Sequence, residues 1–103
     1  MLTDYQIQLK CQIIANQISS KVKLPFVKVK LVQSSDEYKG EYFFKQNVIY
    51  LYKFVKNKKM TFDDIKSTLY HECAHHYQYC LYNNLKHNKR FYDTIVLLKL
   101  LSL

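Results

Sequence analysis

Apolar residues open the chain at helical spacing. Ile7, Cys11, Ile14 and Ile18 follow one another at intervals of four, three and four, one narrow stripe of an amphipathic helix. Thr3 or Asp4 can cap its start, and the helix is expected to run to about Ser20. Gln6, Gln8, Lys10, Gln12 and Gln17 fall off the stripe. After Leu24-Pro25 the period drops to two. Val27, Val29 and Leu31 alternate with Lys28 and Lys30, which predicts a strand over Phe26–Gln33 with one wet face. Ser34–Gly40 reads as a loop. Glu41–Lys45 and Val48–Lys53 are aromatic and β-branched runs joined by Gln46-Asn47, the pattern of a hairpin. Lys53–Met60 then reads as a basic connection.

The helical period returns at Thr61, where Asp63 and Asp64 supply the acids that suit a helix start. Phe62, Ile65, Leu69, Cys73, His76 and Cys80 share an arc of about 80° and form the expected core face. His76 is accordingly read as a packed, hydrogen-bonded residue. Asn83-Asn84 can end this helix. A last helix is expected from Asn88 to Leu101. Its apolar residues Val96, Leu97, Leu98, Leu100, Leu101 and Leu103 lie nearly all round, which suits deep burial or a self-association surface, hence a candidate homodimer. Together these elements predict a single α+β domain over residues 1–103: an N-terminal helix, a small three-stranded sheet and two further helices.

Composition adds constraints. Hydrophobic residues make up 49% of the chain, with ten Tyr and six Phe, so the chain can build a core and is not disordered. The net charge is +8, a surface that attracts polyanions. Lys53, Lys56, Lys58 and Lys59 form the candidate nucleic-acid patch. Cys11, Cys73 and Cys80 are odd in number and without paired spacing, and read as small buried residues of a reducing compartment. No leader pattern opens the sequence, and the apolar end is too short to cross a bilayer and carries Lys99. The expected location is cytoplasmic, with no membrane partner.

The candidate chemistry sits on the long helix at His71-Glu72-Cys73-Ala74-His75, an H-E-x-x-H sequence. Residues four apart stand one turn apart on the same face, so both imidazoles can reach one zinc ion. Glu72, about a quarter turn away, can take a proton from an attacking water without being a ligand. His71, His75, Thr68, Glu72, Tyr79 and Tyr82 share an arc beside the core face. Cys73 points away from the histidine pair, which argues against a role as nucleophile.

A catalytic zinc needs a third protein ligand. No glutamate follows Glu72, and the histidines and acids that remain downstream are His76, His87 and Asp93. A helix running to Tyr82 climbs about 10.5 Å beyond His75. Residues 84–87 can return about 13 Å when extended. His87 is therefore the first choice and Asp93 the second. Tyr79, Tyr82, Arg90 and Tyr92 are candidates for contacts to an oxyanion or to substrate, and spacing does not select among them.

The order helix, strand, hairpin, H-E-x-x-H helix and His87-Asn88-Lys89-Arg90-Phe91 at the start of a last helix resembles the SprT-like and other minimal zincin peptidases. Leu69–His76 matches their metal helix, while His87 and Phe91 match their H-x-x-x-F segment. The resemblance implies a zincin fold, one Zn²⁺ held by His71, His75 and His87, and Phe91 packed under the site. It implies a zinc metalloendopeptidase with Glu72 as general base acting on a protein or peptide. The related Spartan and WLM proteases, which resemble this layout, cleave proteins attached to DNA, so nucleic-acid-associated substrates are a further expectation. Repressor-cleaving ImmA-like peptidases share the H-E-x-x-H helix. The competing reading is a non-catalytic zinc module of the same fold that binds nucleic acid or protein.

Overall fold

A computed structural model describes residues 1–102; Leu103, part of the apolar end read above, lies outside the described residues. Thr3 caps α1 (Asp4–Val22) through a capping box with Gln6, which satisfies donors that a helix start leaves free. The helix runs past Ser20 to Val22, and Lys23 closes it in the left-handed conformation. Three strands and a short fourth follow: β1 (Lys28–Ser35), β2 (Gly40–Phe43), β3 (Val48–Val55) and β4 (Lys58–Lys59). The order across the sheet is β1-β3-β2. β1 runs parallel to β3, β2 runs antiparallel to it, and β4 pairs with the far end of β3. Two helices complete the α+β arrangement, α2 (Phe62–Tyr82) and α3 (Lys89–Leu101).

The alternation read in β1 is present. Val27 and Val29 are buried and Lys28 and Lys30 are exposed. Val29 stands beside Ile49, and Leu31 beside Leu51. With Cys11, Ala15 and Ile18 of α1, and Ile65, Leu69 and Cys73 of α2, they form the core. At full burial each aliphatic side chain contributes about 1.5–3 kcal/mol.

Two of the off-stripe glutamines of α1, Gln8 and Gln12, reach the sheet edge. Gln12 accepts from the Val29 amide and donates to the Val27 carbonyl, at 2.8 and 2.9 Å, and Gln8 accepts from the Leu31 amide at 2.9 Å. These side chains occupy the backbone groups that β1, as an edge strand, would leave open.

Three expectations change. The stretch after Lys53 is a tight hairpin, not a loop: β3 continues to Val55, and Lys56 and Asn57 both take positive φ, 51° and 65°. That pair of conformations matches the right-handed twist of the flanking strands. Cys80 is exposed: it lies in the last turn of α2, near the end of the short strand β2, whose Tyr42 reaches His76 and Tyr79. α3 is buried on one side only: Phe91, Thr94 and Leu98 face inward, while Tyr92, Val96, Leu97 and Leu100 are exposed. α3 packs on α2 and, more lightly, on α1, and not on the sheet, so its far side stays open. No helix among the described residues is long and apolar enough to cross a membrane.

Candidate metal centre

Thr61 and Asp64 form the capping box of α2, and Asn83 ends it in the left-handed conformation with φ 51°. Between these fixed ends, helical spacing puts His71 and His75 one turn apart, with ring centroids 5.1 Å from each other. The chain then reverses. Lys86 donates its amide to Asn84 Oδ1 at 2.7 Å, and the Lys86 carbonyl accepts from Gln78 Nε2 at 3.1 Å. Asn88 caps α3 by accepting from the Phe91 amide at 3.0 Å. His87 is held between these two anchored points.

The reversal brings His87 Nε2 to 2.9 Å from His75 Nε2. One nitrogen from each of His71, His75 and His87 lies within 4.8 Å of the others. Beneath them Phe91, fully buried, places its ring 4.8, 4.5 and 4.8 Å from the rings of His71, His75 and His87. Asp93 is not part of the cluster; it borders a separate hollow with Tyr77, Tyr82 and Arg90.

The donor set fits a metal ion. Three imidazoles in one place would repel one another if protonated, and a ligand must be neutral. Burial, then the neighbouring His71 and His87, pushes His75 down to about 4. Burial and His87 lower His71 as well. Two neutral imidazoles can share one hydrogen bond, as His75 and His87 can through their Nε2 atoms, whereas a cation would take a lone pair from all three rings at once.

Glu72 lies beside the cluster and is almost fully buried. Burial, then the charge of Glu41, raises its carboxyl to about 7, and a hydrogen bond from the Tyr42 backbone opposes the rise. Gly40, the only glycine in the chain, passes close above. A Cβ there would stand 2.6 Å from Thr68 Cγ2, 3.0 Å from the Tyr50 carbonyl oxygen and 3.4 Å from Glu72 Cγ. Its missing side chain lets β2 approach α2 beside the histidines.

A groove follows this contact in two arms. One arm, about 500 Å³, runs from Asp64 and Ser67 past Tyr38 to His71 and Glu72, with Ile95 and Lys99 opposite. The other, about 350 Å³, continues along Glu41 and Tyr42 to His75, Leu85 and His87.

Other residues singled out in the sequence lie elsewhere. Tyr79 packs against Tyr42 and Phe44, at 6.4 and 4.8 Å between rings. The Arg90 guanidinium sits 4.1 Å over the Tyr82 ring in the hollow that holds Asp93. Tyr92 is exposed beside Phe91. Lys53 pairs with Asp4 across the sheet, whereas Lys56, Lys58 and Lys59 are exposed on the β3–β4 hairpin. The groove tyrosines are Tyr38 and Tyr42, which helical arcs on α2 could not reveal. Gln78 was also missed, since a polar residue off the apolar stripe carries no signal of burial.

His76 has the environment expected of it. Pro25 offers only a carbonyl, so Nε2 carries the proton and donates to it at 2.8 Å. Nδ1 then accepts from the Tyr42 hydroxyl at 2.9 Å.

Comparison with curated proteins and with solved structures returns no significant match. The model of the SprT-like family matches residues 7–97, which include all of α2, His87 and most of α3. The chain therefore belongs to the SprT-like family.

Proposed function

We propose that this protein is a zinc-dependent endopeptidase, with His71, His75 and His87 as metal ligands and Glu72 as general base. The observation that carries the reading is the convergence of three imidazoles beside a buried carboxylate in an open groove. A zinc ion there would polarise a peptide carbonyl and acidify water. A base raised to about 7 suits the remaining work. Glu72 can accept a proton at neutral pH and pass it to the leaving amine.

The two sheet edges support a peptide substrate. The β1 edge is occupied by Gln8 and Gln12. β2 ends the sheet on the other side, along the groove. An extended peptide adding to β2 would gain main-chain hydrogen bonds and pass His71 and Glu72. The net charge of +8 and the exposed hairpin lysines extend the proposal to substrates bound to nucleic acid.

The test is zinc content and hydrolysis of a denatured protein substrate. Wild type is expected to hold one zinc per chain and to cleave. Glu72→Gln should keep the zinc and lose about 10²–10⁴-fold in rate. A wild type without zinc overturns the reading, and full activity in Glu72→Gln overturns the role of Glu72.

A further inference from the structure

Two buried polar atoms near the cluster lack partners: Nδ1 of His75 and Oε1 of Gln78. They are complementary. With Nε2 of His75 facing His87, a neutral ring bound through Nε2 carries its proton on Nδ1, which needs an acceptor. The other half of the Gln78 amide already donates to the Lys86 carbonyl, so Oε1 is the free acceptor. Gln78 lies three residues after His75 on α2, and helix side chains lean toward the N-terminus, here toward His75. Gln78 is fully buried. A buried amide left half-satisfied costs about 1–3 kcal/mol, an arrangement that persists when the open valence has a use.

We propose that Gln78 is a positioning residue for the metal centre. Its Oε1 accepts the His75 Nδ1 proton across one buried water, since the two atoms make no direct hydrogen bond, and its Nε2 holds the carbonyl next to His87. One side chain thereby fixes the tautomer of one ligand and the loop of another. The inference rests on the metal-site reading, and the assignment of His75 can be tested separately from it.

The experiment compares wild type with Gln78→Leu, which removes both hydrogen bonds while keeping similar bulk. Zinc affinity, measured by competition with a chromogenic chelator, should fall about 10–100-fold, the usual cost of losing an outer partner of a ligand. The urea midpoint of the metal-free protein should fall, because the Lys86 carbonyl loses its donor and His75 Nδ1 its acceptor. Gln78→Glu, which keeps an acceptor for Nδ1 and loses only the donor to Lys86, should recover zinc affinity, a rescue that a packing role would not produce. Equal zinc affinity in wild type and Gln78→Leu overturns the proposal, as does a Gln78→Glu that binds zinc no better than Gln78→Leu. Should Gln78→Leu fail to fold, nitrogen-15 spectra of wild-type imidazoles decide. A slowly exchanging Nδ1 proton on His75, present even in metal-free protein, supports the pairing. An Nε2-protonated His75 in metal-free protein overturns it. If wild type binds no zinc, the metal reading fails while this spectrum still reports on the pairing.

Discussion

His75 and His76 are neighbours in sequence with opposite surroundings. His76 points to the sheet side of α2, where both ring nitrogens are paired, one with Pro25 and one with Tyr42. His75 points to the α3 side, where one nitrogen faces His87 and the other has no partner. His76 is buried and His75 half-buried, and burial lowers both. The difference lies in completeness. A histidine whose hydrogen bonds close within the fold is structural, and one left open among other imidazoles is equipped to hold something from outside.

The largest expected effect comes from the floor under the open cluster. Phe91→Ala removes a fully buried ring that touches all three imidazoles. It should cost about 3–5 kcal/mol in denaturant unfolding and weaken zinc binding. A variant that loses stability but keeps full zinc affinity would show that the cluster does not depend on its floor.

The paired substitutions test the contrast itself. His75→Ala should lower zinc affinity by more than about 100-fold, beyond the effect of outer-partner changes. His76→Ala should keep the zinc and cost about 2–3 kcal/mol, by stranding the Pro25 carbonyl and the Tyr42 hydroxyl. Loss of zinc in His76→Ala, measured as metal per folded chain, would break the comparison.

A smaller effect is expected with pH in metal-free protein. Folding raises Glu72 from its ordinary 4.5 to about 7. The folded state therefore holds that proton more tightly, and stability falls as pH rises across this interval. Folding lowers His75 from 6.5 to about 4, so on its account stability falls as pH drops through that range. Glu72→Gln removes only the first contribution. Its melting temperature relative to wild type should climb between pH 4.5 and 7, by about 4–8 °C for each kcal/mol. A constant difference across that range would show that Glu72 is not strained by burial.

The sequence made the His71–His75 pair on α2 legible because helical spacing is a local rule, and both capping signals bounded the helix correctly, whereas Tyr79 and Tyr82 of the same arc lie away from the cluster. His87 followed from elimination and chain reach. What stayed hidden depends on partners distant in sequence. The burial of Tyr70, Ala74 and Gln78 needed α3 to cover a second side of α2. The exposure of Cys80 needed the place where β2 ends. The β3–β4 hairpin escaped notice because Lys56 and Asn57 take the left-handed conformation without a glycine. Gln8 and Gln12 of α1 fall off the apolar stripe and yet clamp a sheet edge.

Gly40 leaves a practical handle. The clearance between β2 and α2 at this point is set by a methyl group that is not there. A graded series at this position, Ala, Ser and then Val, would act as a set of spacers driven between strand and helix. If Glu72 acts as the proposed base, turnover plotted against side-chain volume would trace how much displacement of its carboxylate the reaction tolerates.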